Sequence, residues 1–144
     1  ADHRPYHARI AELLVRARDR HGAAVLLDLH SMPSLGAGRA QVVIGDRYGA
    51  SAGAAMVARV EATVAAAGLR VARNAPYAGG HVVERHGDPR GGIHAIQLEL
   101  DRALYLDAAL DRPGEGLAAT AMLVRRIAAS LAAEIGWPLS QAAE

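Results

Sequence analysis

The stretch AAVLLDL at residues 23–29 is apolar on both of its alternating faces and leads directly into His30 and Ser31. A strand that is covered on both sides within a parallel sheet has this continuous apolar character. The stretch therefore predicts a buried strand of an α/β sheet, with polar residues at the end of the strand.

Helical and strand-like patterns alternate along the rest of the chain. Apolar residues recur at helical spacing over Arg4–His21, where Pro5 suits a first turn and Gly22 can end the helix. Ser51 is expected to cap a second helix that Gly68 ends. Further strands are predicted at residues 41–45, 69–72 and 93–100, and a last helix from Leu117 to Ile135, stopped by Gly136 and Pro138. The alternation indicates a three-layer α/β/α domain, but it does not fix the order of the strands.

The composition excludes several classes of protein. The 144 residues suit one domain, and a formal net charge of +1 with interspersed acids and bases provides no single-sign field for nucleic acid or anionic lipid. Every apolar run is much shorter than the roughly 20 residues that span a bilayer. Because the sequence has no cysteine, any metal must be held by histidine and carboxylate, and the chain suits the cytoplasm.

Asp28 and His30 are the first candidate site residues. They share one parity in the first strand, so both side chains leave the same face at the carboxyl end of the strand. Ligands of open α/β sheets bind at that end, and Asp28 could fix one nitrogen of a metal-binding His30. Spacing alone favours the alternative, in which His30 is hydrogen-bonded into the following loop.

Glu99 is the second candidate. In the strand at residues 93–100 the polar side chains occupy one face and cluster toward its end, with Gln97 and Glu99 on that face. A desolvated carboxylate in such a position is suited to act as a general base. An ion pair with an arginine such as Arg85 or Arg102 is equally consistent with the sequence.

The segment from Asn74 to Gly92 is predicted as one long loop with paired glycines, histidines and Arg85. It could cover a substrate, with Arg85 as a fork-shaped partner for a carboxylate, or it could be a solvated surface loop that exposes His81 and His86.

His3 and His7 stand four residues apart, as paired metal ligands do on a helix. No Glu follows His3 as the HExxH pattern requires, so a surface role is favoured for both.

Four motifs together resemble one known family. They are RPYH at residues 4–7, LLDLHSMP at 26–33, NAPYAGG at 74–80 and IQLELDRALY at 96–105. In this order, and over nearly the whole chain, they resemble the N-formylglutamate amidohydrolase family. That family is similar to the zinc carboxypeptidases, so the resemblance implies a phosphorylase/hydrolase-like fold with a mixed, mostly parallel sheet.

The resemblance also implies roles for individual residues. It implies that His30 binds zinc and that Glu99 is the general base. From the residues themselves, Asp28 could orient His30, and Arg85 and Asn74 are expected to contact the substrate. The implied activity is zinc-dependent hydrolysis of N-formyl-L-glutamate, or of a similar small N-acyl amino acid, to the free acid and the amino acid.

The family pattern is incomplete in this chain. The upstream Pro-His-Ser-Gly-like segment and the acidic residue that complete the metal site are absent, and one histidine is fewer than the three protein ligands of a catalytic zinc site. Residues 1–144 are therefore expected to be the C-terminal part of a single amidohydrolase domain that lacks its N-terminal strands. Such a chain should be inactive by itself and leave one sheet edge exposed. The alternative is a non-catalytic fragment or packing module with the same fold.

Overall fold

The architecture is taken from a computed structural model, which describes residues 3–136. Its elements in chain order are α1 (Arg4–His21), β1 (Ala24–Met32), β2 (Val42–Gly45), α2 (Ala54–Ala66), β3 (Val71–Arg73), α3 (His81–His86), β4 (Ile93–Asp101) and α4 (Leu117–Glu134). Short 3₁₀ turns at Pro89–Gly91 and Arg102–Leu104 flank β4. Among the described helices, none is both long enough and apolar enough to cross a membrane.

The four strands form one sheet in the order β1-β4-β2-β3. β1 is parallel to β4 and β2 is parallel to β3, whereas β2 and β4 are antiparallel. The prediction of an α/β fold with a mixed, mostly parallel sheet is therefore confirmed. The register sets Asp28 opposite Gln97 and His30 opposite Glu99.

Helices cover both faces of this sheet. The larger core lies under α2 and α4, where side chains such as Val57 and Ile127 pack against Ile96 and Leu98 of β4. On the opposite face α1 packs on a smaller cluster built from Leu14, Ala24 and Ile93. Because side chains alternate along a strand, Asp28, His30, Gln97 and Glu99 share the face that α1 covers.

β1 lies at one edge of the sheet. Within residues 3–136 it pairs with β4 alone, and Leu29 is half exposed. The central strand is instead β4, whose nine residues are all buried except His94, which is partly buried. The continuous apolar character of residues 23–29 thus predicted a strand correctly, but β4 is the one that is covered on both sides.

The expectation that Ser51 caps α2 is wrong. The helix begins at Ala54 after Gly53, whose N–H donates to Nδ1 of His94 over 3.0 Å. The buried Ser51 hydroxyl instead donates to the carbonyl of Ala95 over 2.8 Å. Both contacts attach the segment before α2 to β4, which is far away in sequence.

The prediction of one uninterrupted loop between Asn74 and Gly92 is also wrong. The segment contains α3, which Val83 and His86 anchor with buried side chains, and the short 3₁₀ turn after Asp88. A helix of six residues is too short to show the apolar periodicity by which helices are recognised. The segment is therefore ordered by tertiary contacts.

Replacing Gly45 with Ala should destabilise the fold. A Cβ atom at Gly45 would lie 2.6 Å from the nitrogen of Gly79 and 2.8 Å from the carbonyl carbon of Ala78, and backbone atoms cannot swing aside. We expect the free energy of unfolding, measured by urea denaturation, to fall by about 1–3 kcal/mol. The control is Gly53→Ala, whose Cβ would meet a side-chain atom of His94 at 3.1 Å and no backbone atom within 4 Å. Equal losses in the two variants would contradict the argument.

Candidate active site

His30 projects from the end of β1 with 45% of its side chain exposed. Its Nε2 atom lies 3.1 Å from Oδ2 of Asp28, so the two side chains meet as their shared face predicts. This contact occupies one ring nitrogen and leaves Nδ1 on the side of Glu99. A histidine whose second nitrogen is held by a carboxylate has the orientation that metal-binding histidines commonly have.

Glu99 lies beside His30 on the adjacent strand. Only 9% of its side chain is exposed, and its Oε1 atom is 3.8 Å from Nδ1 of His30. The arginine alternative is wrong for the two arginines considered, because neither Arg85 nor Arg102 forms an ion pair with Glu99, and Arg102 contacts Ser31 instead. Glu99 is therefore a buried carboxylate that lies next to the candidate metal ligand His30.

Gln97 completes the polar face, although the sequence pattern indicated no role for this residue. Its Nε2 donates to Oε1 of Glu99 over 2.8 Å, and its Oε1 accepts the backbone N–H of Gly80 over 2.8 Å. The segment that leads into α3 is thereby held against the candidate site. The signal available in the sequence was the position of Gln97, two residues before Glu99 on the same strand face.

A histidine pair joins α1 to α3 beside this face. Nδ1 of His7 lies 2.9 Å from Nε2 of His86, and the ring of His81 packs edge-on against His7 at 5.3 Å between centroids. The surface role favoured for His7 is wrong because His7 is buried. His86 is buried as well, which rules out the alternative that exposes it, whereas His81 is exposed. The bond also occupies the Nδ1 atom of His7 that a metal could use together with His3.

Burial lowers the pKa of both paired histidines. For His7 the next largest cause is the positive charge of Arg85, and for His86 it is His7. A hydrogen bond between two imidazoles needs one nitrogen to accept, so at least one ring must be neutral. The arrangement therefore favours neutral histidines in the folded state.

Lowering the pH should destabilise the fold through these histidines. Because the pKa of His7 and His86 is lower in the folded than in the unfolded chain, the unfolded chain binds more protons below about pH 6.5. Their stabilising contribution is full above that pH and is lost as the pH falls toward the lowered pKa. We expect His7→Gln combined with His86→Gln to flatten the decline in unfolding free energy between pH 7.5 and 5.

The pH profile is measured by urea denaturation at fixed ionic strength, with His3→Gln as the control that keeps the decline. A residual slope is expected from His94, because burial lowers its pKa as well. An unchanged slope in the double variant would rule out the pair as its source.

The structure does not bring Arg85 and Asn74 into contact with His30 or Glu99. Arg85 is exposed on α3, close enough to His7 and His86 for its charge to lower the pKa of both. Asn74 holds the loop after β2, where its Nδ2 donates to Asp46 over 2.6 Å and its Oδ1 accepts the N–H of Asp46 over 3.1 Å. A substrate role for either residue stays a prediction.

The described residues do not form a complete metal site. Within residues 3–136 there is no group of three or more histidine, aspartate or glutamate side chains placed to hold one ion. His30, with Nε2 on Asp28 and Nδ1 free, has the chemistry of one ligand. A zinc ion of the catalytic type would need further ligands from outside these residues.

The chain is similar in sequence to proteins of one known family. A sequence model described as N-formylglutamate amidohydrolase matches residues 1–106, which places the chain among the amidohydrolases. The chain is 41% identical over 109 residues to an N-formylglutamate deformylase of Pseudomonas aeruginosa and 36% identical over 110 residues to one of Pseudomonas putida. The chain belongs to the N-formylglutamate amidohydrolase family.

Two solved structures share the fold of this chain. The N-formylglutamate amidohydrolase from Ralstonia eutropha JMP134 has a TM-score of 0.75 and 32% identity over 93% of this chain and 50% of its own. A protein of Agrobacterium tumefaciens shares the fold, with a TM-score of 0.63 and 21% identity over 90% of this chain and 49% of its own. The matches to both Pseudomonas relatives cover 72% of this chain, which spans 41% of the length of each relative.

Proposed function

We propose that this chain is the C-terminal part of a longer protein, called the full-length protein below. In this proposal the full-length protein hydrolyses the amide bond of N-formyl-L-glutamate, releasing formate and glutamate. The observation that carries the proposal is the buried carboxylate of Glu99, 3.8 Å from a histidine whose other nitrogen is bonded to Asp28. The names of the Pseudomonas and Ralstonia relatives support this choice of substrate.

In this proposal Glu99 moves the protons. It accepts a proton from the attacking water and later passes it to the leaving amine, which is the ordinary task of a buried general base. Little bulk water competes for the carboxylate here, because only 9% of the Glu99 side chain is exposed. Gln97 holds one of its oxygens in place.

We propose zinc as the metal, with His30 as one ligand. Bound there, zinc would supply Lewis-acid polarisation of the carbonyl group and of water. Asp28 keeps the His30 ring in a fixed orientation through Nε2. The remaining ligands lie outside the described residues in this proposal, and the 144-residue chain by itself is inactive.

Arg85 is our candidate for binding the side-chain carboxylate of the substrate. N-formylglutamate carries two carboxylates, and an exposed guanidinium on α3 can form charge-assisted hydrogen bonds to one of them. We expect Arg85→Ala to raise KM about tenfold for N-formylglutamate and much less for the monoanionic N-formylglutamine. Steady-state kinetics with both substrates measure the ratio, and Arg126→Ala on α4 is the control. An unchanged ratio would remove Arg85 from substrate recognition.

Formate release tests the proposed function directly. The full-length protein is assayed with N-formyl-L-glutamate before and after treatment with a chelator, and then after zinc is restored. We expect activity to disappear and return. Activity that is insensitive to chelation would contradict the proposal that the enzyme needs a metal. Hydrolysis of other N-acyl amino acids but not of N-formyl-L-glutamate would support the same chemistry on a different substrate.

The absence of cysteine is compatible with a reducing compartment, and we propose the cytoplasm.

A further inference from the structure

The side chain of Gln97 is engaged at both ends in the middle of the buried strand β4. Only 4% of Gln97 is exposed. Its amide nitrogen donates to Glu99 and its amide oxygen accepts from Gly80, each over 2.8 Å. A carboxylate can only accept and a backbone N–H can only donate, so these partners allow one orientation of the amide.

The backbone on the far side of Gln97 is fixed independently. Gly79 lies against Gly45 so closely that no Cβ would fit at Gly45. The helix that follows is anchored by the buried Val83 and by Arg47, whose Nη2 donates to Glu84 over 2.6 Å. The position of Gly80 is thus fixed by its surroundings, and the hydrogen bond from Gly80 in turn fixes the side chain of Gln97 beside Glu99.

The two carboxylate oxygens of Glu99 differ in their surroundings. Oε1 takes the hydrogen bond from Gln97 and faces His30. Oε2 has no hydrogen bond within the described residues, and because no fully buried side-chain oxygen there lacks a partner, Oε2 reaches solvent. One oxygen is held and the other is free to contact water.

We propose that Gln97 is a positioning residue, which holds the Glu99 carboxylate by one oxygen and ties it to the turn at Gly79 and Gly80. The inference rests on the proposed function in that Glu99 is the general base. Gln97 touches neither water nor substrate in this role, and it acts by fixing where Oε2 points. Misplacement of a reacting group by about 1 Å can cost on the order of 100-fold in rate.

Two substitutions in the full-length protein separate the two hydrogen bonds. Gln97→Met keeps the length of the side chain and removes both bonds. Gln97→Glu keeps an oxygen for Gly80 and places a second carboxylate against Glu99. For both variants we expect kcat for formate release to fall about 10- to 100-fold while KM stays within about twofold.

Amide hydrogen exchange at Gly80, measured by NMR, gives a readout that does not depend on activity. Exchange should be faster than wild type in Gln97→Met and slow in Gln97→Glu, although kcat falls in both. Ser51→Ala is the control for a merely structural loss, because it removes another buried hydrogen bond to β4. It should lower the unfolding midpoint and leave kcat unchanged.

The outcomes decide the inference separately from the proposed function. If the wild type is active and Glu99→Gln is not, an unchanged kcat in Gln97→Met overturns the positioning role and leaves the function standing. Equal exchange at Gly80 in wild type and Gln97→Met overturns the tie to the turn. A wild type that releases no formate overturns the proposed function and the positioning role with it. The rate of amide hydrogen exchange at Gly80 then still tests whether Gln97 holds the turn.

Discussion

Replacing Glu99 with Gln is expected to lower kcat for formate release from N-formyl-L-glutamate by about 10²- to 10⁴-fold, with little change in KM. The amide has nearly the shape of the carboxylate and can still contact Gln97, but it cannot take a proton from water. The buried setting of Glu99 makes replacement by bulk water inefficient, since only 9% of the side chain is exposed. Steady-state assays of the full-length protein measure both constants.

Glu115→Gln is the matched control, because Glu115 is exposed and lies outside the candidate site. It should retain wild-type kinetics. Circular dichroism and the unfolding midpoint of Glu99→Gln must match the wild type for the comparison to hold. A Glu99→Gln enzyme within tenfold of wild-type kcat would exclude Glu99 as the base.

Zinc affinity of the full-length protein should depend on His30 and, less strongly, on Asp28. Asp28→Asn weakens the partner that fixes Nε2 of His30, and loss of such a partner typically costs 10- to 100-fold in metal affinity. His30→Ala removes the proposed ligand itself and should cost more. Competition with a chromophoric chelator measures the dissociation constants of the three proteins.

His3→Ala is the control for nonspecific loss of an imidazole and should keep wild-type affinity. The 144-residue chain alone provides a second comparison, and we expect weak zinc binding that does not depend on His30. The reason is that no three suitable side chains gather within residues 3–136. Tight, His30-dependent binding by this chain would show that our account of the site is wrong.

Local patterns predicted the elements well because their causes are local. The limits of α1 agree with the prediction because Pro5 lies in the first turn and Gly22 closes the helix in a left-handed conformation. The contact between Asp28 and His30 followed from strand parity. Strand parity also put Gln97 on the same face as Glu99, although it could not show that the two side chains touch.

Local sequence patterns could not predict contacts between segments that are distant in the sequence. His7 and His86 meet from α1 and α3, and no periodicity within either helix shows this. Ser51 looked like a helix cap because hydroxyl residues commonly precede helices, yet its hydroxyl found a carbonyl on β4. The position of His30 beside Glu99 likewise could not be seen without the order of the strands.

The position of β4 between β1 and β2 also bears on how the chain folds. β4 follows the other three strands in sequence but joins β1 to the β2–β3 pair, so the sheet stays in two pieces until residue 101 has been synthesised. Long-range parallel pairing of this kind is slow, because the intervening chain must close before the contacts form. His30 and Glu99 therefore come together only when β4 docks, and a ribosome-bound chain that ends before this strand carries neither a continuous sheet nor the candidate site.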